Sequence, residues 1–157
     1  MLKVSQRLEY AMRAIIELAE RRAGSALVSA REIAARQQIP PRFLEQQLGA
    51  LSRAGIVESF RGAGGGCRLA RDPQSITVAD VAEAIEGRTY PMACLEPSDH
   101  SCFQDSRCGL QGFWGDVAEA IESVFERTTV ADLVARHHDA MPERTLIAPR
   151  ELLSHLS

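Results

Sequence analysis

The stretch Ile56-Val57-Glu58-Ser59-Phe60-Arg61-Gly62-Ala63-Gly64-Gly65-Gly66-Cys67-Arg68-Leu69-Ala70 decides the fold. Ile56 to Phe60 alternates and is rich in strand formers, and Cys67 to Ala70 can pair with it. The glycines between them suit a hairpin tip whose backbone needs positive φ. A phosphate-cradling loop would instead require Gly-Lys-Ser/Thr opening a helix, whereas Gly66 is followed by Cys67-Arg68-Leu69.

Upstream of the hairpin the chain reads as three helices. Leu8, Ala11, Met12, Ile15, Leu18 and Ala19 recur at three- and four-residue steps, one face of an amphipathic helix over 5–22 with Ser5 as its N-cap. Ser29, with Glu32 three residues on, predicts a capping box over a short helix at 30–38. Pro41 suits the first position of the next helix, whose apolar residues Phe43, Leu44, Leu48 and Leu51 run to a stop at Gly55. Helix, short helix, third helix and glycine-rich hairpin together predict a mostly α fold with a small β-hairpin wing: a winged helix-turn-helix over 1–75.

Downstream, Thr77-Val78-Ala79-Asp80 caps a helix through Ile85 that Gly87 ends. From Cys108, the residues Leu110, Phe113, Trp114, Val117, Ala120, Ile121, Val124 and Phe125 keep helical spacing for about five turns. Such a helix beyond a small winged domain is most simply a dimerisation helix packing on its twin; packing within its own chain is the alternative. A second Thr-Val-Ala-Asp phrase at Thr129–Asp132 reuses cap chemistry and opens a last helix from Val130 to about His138. His137 and His138 point about 100° apart on it, as expected of a solvated helix end. Residues 76–140 thus form a second functional region. The tail 141–157, punctuated by Pro142 and Pro149, is expected to be loosely ordered, although Leu152, Leu153 and Leu156 can dock.

Between the two regions, residues 88–105 read as a polar loop, and Cys94, Cys102 and Cys108 fall within or beside it. Their spacings, C-x7-C and C-x5-C, are wider than the paired knuckles of most structural zinc sites. Thiolates are the normal protein ligands of iron-sulfur clusters, and three of them leave one position for another donor.

Charge separates the halves. Residues 1–70 carry 11 Lys and Arg against 6 Asp and Glu, and residues 71–157 carry 7 against 15, so only the first half is expected to meet a polyanion. No apolar run approaches the ~20 residues of a membrane span, and the first nine residues lack the apolar core of a secretory signal. The expected compartment is the cytoplasm, where four cysteines are thiols or ligands rather than bridges.

In a helix-turn-helix the second helix enters the major groove, its N-terminal residues touching base edges. Here these are Arg42, Glu45 and Gln46: Arg forks onto guanine, Glu accepts from cytosine, and Gln pairs with adenine. Ser52 and Arg53, later on the helix, suit phosphates. Arg61, beside Gly62 and the other glycines that permit close backbone approach, can lie on phosphates or reach into the minor groove.

The chain resembles the bacterial regulators of the IscR and NsrR family, also called the BadM or Rrf-two family. The matching phrases are Glu9-Tyr10-Ala11-Met12-Arg13-Ala14, Phe43-Leu44-Glu45-Gln46-Gln47-Leu48, the Arg61–Gly66 wing, Thr77-Val78-Ala79-Asp80-Val81 and the three-cysteine loop. They cover roughly residues 1 to 135 in the expected order. The resemblance implies a homodimer on a pseudo-palindromic double-stranded operator, its long helix pairing across the two-fold axis and Cys94, Cys102 and Cys108 holding a 2Fe-2S or 4Fe-4S cluster. Glu45 and Arg61 match positions that contact DNA. Members complete the cluster with a histidine three residues beyond the third cysteine or with a carboxylate from the partner's first helix. This chain has Gln111 at the first place and Glu9 at the second, with His100, between two of the cysteines, as another candidate.

Cys67 departs from the family's aromatic residue after the wing glycines and is expected to be a small half-buried residue. The functional expectation is a transcriptional regulator whose operator binding follows the state of the cluster, under redox, nitric oxide or iron control. A zinc-stabilised or cluster-free regulator of the same fold, its ion held by the three cysteines and His100, is the alternative. A cysteine-nucleophile enzyme finds no matching catalytic constellation.

Overall fold

In the computed structural model, which describes residues 4–22, 27–87, 95–96 and 108–140, six helices surround one short hairpin. Helix α1 (Gln6–Glu20) begins where Ser5 Oγ accepts from the Leu8 N–H, as the sequence predicts. Its apolar face, Leu8, Ala11, Ala14, Ile15 and Leu18, is buried, and it packs against α2 (Ala30–Gln37), α3 (Pro41–Arg53), α4 (Val78–Glu86) and α6 (Val130–Ala140). One helix therefore organises the core.

Ser29 caps α2 through the Glu32 N–H, but only half of the expected capping box forms. The Glu32 carboxylate turns to Arg21 at 2.8 Å and Arg36 at 3.4 Å, charged partners that outcompete a backbone N–H. Gln38, in the left-handed region at φ 53°, ends α2, and Ile39 buries itself before Pro40 and Pro41 open α3. This is the helix-turn-helix. Leu44, Leu48 and Leu51 hold α3 to the core, whereas Phe43 does not join them and is 50% exposed. Its neighbour Leu44 in the same turn is fully buried, so the cause is rotation about the axis: Phe43 stands at the edge of the face formed by Leu44, Leu48 and Leu51.

The wing is β1 (Val57–Phe60) paired antiparallel with β2 (Gly66–Leu69), Glu58 opposite Arg68 and Phe60 opposite Gly66. The turn needs its glycines for two reasons. Gly62 adopts φ 111°, and a Cβ on Gly65 would stand 2.4 Å from the Phe60 carbonyl oxygen. Val28 adds an isolated bridge to Cys67, exchanging backbone hydrogen bonds of 3.0 and 2.8 Å, and so ties the segment before α2 to the wing. One residue of strand leaves no period to detect in sequence.

Both Thr-Val-Ala-Asp phrases are caps, Thr77 with Asp80 on α4 and Thr129 with Asp132 on α6, each hydroxyl and carboxylate exchanging backbone hydrogen bonds. A short 3-10 turn at Pro73–Ser75 leads into the first of them. Ile76, Val81, Ile85 and Val130 share the core with α1, so the elements after residue 75 pack on the first half of the chain.

Helix α5 (Gly109–Arg127), about 28 Å long at 1.5 Å per residue, has no buried residue. It packs against α4, yet Leu110 is 60% and Phe113 55% exposed, and Trp114, Val117, Ile121 and Phe125 are only partly covered. Packing among the described residues does not bury this stripe. Among the described residues no helix is long and apolar enough to cross a membrane.

Candidate nucleic-acid interface and metal centre

The fold of α3 separates structural from available side chains. With Leu44, Gln47, Leu48 and Leu51 turned inward, the opposite arc presents Arg42, Phe43, Glu45, Gln46 and Arg53 to solvent. At the wing, Arg61 and Gly62 are exposed, and nothing lies within 4 Å of a Cβ placed on Gly62, so a backbone or phosphate can approach there.

The arginines divide into two groups. Arg21 pairs with Glu17 and Glu32, Arg22 with Asp72, Arg71 with Asp80, and Arg68 with Glu58 while lying over the Phe60 ring at 5.1 Å. Arg42, Arg53 and Arg61 make no hydrogen bond or ion pair among the described residues. Uncommitted guanidinium groups such as these, on α3 and the wing, have the chemistry that phosphate and base-edge contacts require, because a cation already paired must first lose its partner.

Between α1 and α2 lies a polar network whose only local sequence signal is the four-residue spacing of Glu17 and Arg21 at the end of α1. Glu17, only 6% exposed, accepts from Arg21 Nε at 2.7 Å and from Gln37 Nε2 at 3.0 Å, with Arg36 at 3.8 Å. Arg13 donates to the Gln37 carbonyl, one residue before the left-handed Gln38, and also to its side-chain oxygen. The network fixes the C-terminal end of α2, and hence the turn from which α3 departs, against α1. A buried carboxylate is tolerated here because its oxygens are hydrogen-bonded and faced by cations.

Of the four candidate cluster ligands the structure describes two. Cys108 is the N-cap residue of α5; it is half-buried, free, and its side chain makes no capping hydrogen bond. Glu9 stands exposed in the first turn of α1, 3.6 Å from Arg13. This part of α1 is held in place by Ser5 donating to Glu86 at 2.6 Å and Arg7 donating to the Ile85 carbonyl at 2.6 Å. Cys94 and Cys102, like His100 and the tail 141–157, lie outside the described residues. Among the described residues no three His, Cys, Asp or Glu side chains gather in metal-holding geometry. An uncommitted thiol and an exposed carboxylate nonetheless have the donor chemistry an iron-sulfur cluster takes.

Cys67 differs in kind. It is fully rather than half buried, its Sγ donates to the Val28 carbonyl at 3.2 Å, and burial pushes its thiol up to about 11. At neutral pH it stays protonated, unsuited to ligate or react. His137 and His138 are exposed, as a solvated helix end requires, although each Nε2 lies 3.8 Å from Glu20 Oε1.

Residues 4–136 match the Rrf2 family, described as iron-dependent transcriptional regulators. A rrf2-like HTH-type transcriptional regulator of Rhodobacter capsulatus is 30% identical over 143 residues, covering 87% of this chain and 95% of the relative. Among solved structures, CymR, the global cysteine regulator of Bacillus subtilis, superposes with a TM-score of 0.71 at 32% identity, over 87% of this chain and 98% of the other. IscR of T. potens superposes with a TM-score of 0.70 at 32% identity, over 90% and 93%. The fold of six helices and a two-stranded wing is theirs as well.

Proposed function

The chain belongs to the Rrf2 family of transcriptional regulators, and from that premise we propose that it is a homodimer whose operator binding is set by an iron-sulfur cluster. One observation carries the proposal: Cys108, a free thiol that caps nothing, immediately precedes α5, the helix whose apolar stripe is left unburied. A cluster donor is thereby joined directly to the element best suited to pair two copies.

In this reading residues 1–75 read DNA, residues 76–140 sense and pair, and 141–157 are an appendage. Arg42, Glu45 and Gln46 of α3 meet base edges, while Arg53, Arg61 and Gly62 meet the backbone. Cys94, Cys102 and Cys108 hold the cluster, of 2Fe-2S or 4Fe-4S type, and Glu9 of the partner subunit completes it. The cluster supplies a redox- and nitric-oxide-reactive iron centre. Glu9 is a weaker iron ligand than a thiolate and is displaced more readily, so the site is labile at the seam between subunits. Losing the Glu9 contact would let α1 shift against the partner subunit and so alter the spacing of the two recognition helices, whose half-sites tolerate little change.

Purification without oxygen tests this. Visible absorbance with iron and acid-labile sulfide in equal proportion is the expected result; colourless protein lacking both overturns it. The alternative is a zinc-stabilised or cluster-free regulator of the same fold. Zinc without visible absorbance, or full operator binding by metal-free protein, is its signature.

A further inference from the structure

Phe43 has no structural reason to be where it is. It lies in the first turn of α3, its backbone N–H donating to the Pro40 carbonyl at 3.0 Å, with half its surface in water. The core beneath is filled by Leu44, Leu48 and Leu51. Nor does it extend an apolar patch along its own helix: its i+3 and i+4 neighbours are Gln46, exposed, and Gln47, buried, both polar. A solitary phenyl ring among groups with base-reading chemistry calls for an apolar partner within DNA.

The major groove offers one such partner, the C5-methyl group of thymine; the other base-edge groups there are hydrogen-bond donors and acceptors. Phe43 and Gln46 are three residues apart and so adjoin on the helix surface, separated by about 4.5 Å along its axis. That rise is comparable to the ~3.4 Å between successive base pairs. A glutamine bonded to adenine and a phenyl ring on a thymine methyl are therefore compatible with neighbouring pairs.

We propose that Phe43 is a specificity-determining residue that reads a thymine in each half-site through its C5-methyl group. The inference rests on α3 being the recognition helix and adds an apolar contact to its polar ones. Removing one methyl group from beneath the ring is worth about 0.8 kcal/mol, or about fourfold in affinity per half-site.

The test uses the full chain. Duplexes bound by the native protein and by Phe43→Ala are selected from a randomised library and sequenced. The best native duplex is then remade with deoxyuridine, which lacks only the methyl group, at each thymine in turn. The expected result is one thymine per half-site whose replacement weakens native binding about fourfold and leaves Phe43→Ala binding unchanged. Native binding indifferent to every replacement overturns the assignment, as does a Phe43→Ala protein that selects the same thymine as strongly. The deoxyuridine series needs no variant, and Phe43→Gln replaces Phe43→Ala if the latter fails to melt cooperatively. A native protein that selects no sequence removes α3 as the reading helix and Phe43 with it, an outcome distinct from a selected site that ignores the methyl group.

Discussion

Thr77 and Thr129 pair across an isolated antiparallel bridge, the Val78 N–H donating to the Thr128 carbonyl at 2.9 Å and the Val130 N–H to the Ile76 carbonyl at 2.8 Å. Each threonine also caps its own helix, so the starts of α4 and α6 are fastened to each other as well as closed individually. The C-terminal end of α5, which leads into Thr128, is thereby anchored to the start of α4.

Removal of one cap tests the strength of that fastening. Thr129→Ala should lower unfolding free energy by about 1 kcal/mol, the usual worth of a threonine N-cap, with Thr129→Ser restoring most of it. Urea titration followed by circular dichroism measures the shift; an unchanged midpoint would show that the cap adds nothing.

Acid should act through the same junction. The Thr129 N–H and hydroxyl hold Asp132 below the usual carboxylate range, as the Gln74 N–H, helped by Arg22, holds Asp72. A carboxyl group whose folded value is depressed contributes fully above its unfolded value of ~3.9 and loses that contribution as pH falls through the folded value. Thermal midpoints should therefore show no loss from these two groups between pH 7 and about 5, with the loss beginning below about 4. Asp132→Asn should shrink the acid-induced part; an identical acid profile in that variant contradicts the assignment.

On DNA, Arg61→Ala should weaken operator binding and reduce the slope of log K against log salt by about 1 for each phosphate the guanidinium had neutralised. Filter binding or fluorescence anisotropy at several salt concentrations measures both. Equal affinity and slope would take Arg61 off the interface.

For the cluster, Glu9→Ala should accelerate its loss on exposure to air while leaving the circular dichroism spectrum unchanged. The decay of visible absorbance after anaerobic purification is the measurement. Equal lifetimes in native and variant proteins would exclude Glu9 as a ligand and turn attention to His100.

The exposed stripe of α5 should govern assembly. Phe113→Glu removes an apolar anchor from each copy and places two carboxylates at the seam, so dimer dissociation should rise on the order of a hundredfold or more. Sedimentation velocity across a concentration series reads the change; a native chain that sediments as a monomer would refute the pairing role outright.

Local chemistry was legible in the sequence wherever it is self-contained. Ser5, Ser29, Thr77 and Thr129 announce their helices because a cap is settled within four residues, and the Gly62–Gly66 run announces a turn because few other residues fit it. Features settled by distant partners were not legible. The Val28–Cys67 bridge and the Thr77–Thr129 bridge join segments tens of residues apart, and although Arg21 stands four residues from Glu17 at the end of α1, nothing beside Glu17 signals that Gln37 will help to enclose it. Phe43 shows the limit of periodicity: it stands about 100° round the helix from the fully buried Leu44, at the edge of the face that Leu44, Leu48 and Leu51 bury. Of the candidate site, the exposed arc of α3 follows from which leucines turn inward, whereas Cys94 and Cys102 lie outside the described residues.

The burial of Cys67 separates vulnerability from information. Protonated, enclosed and bonded to a carbonyl, it offers an oxidant no thiolate within the wing. In the proposed sensor, an attack that dismantles the cluster leaves the DNA-reading surface chemically intact. The same polypeptide can then be reloaded and used again, so the response is set by cluster supply rather than by replacement of damaged protein.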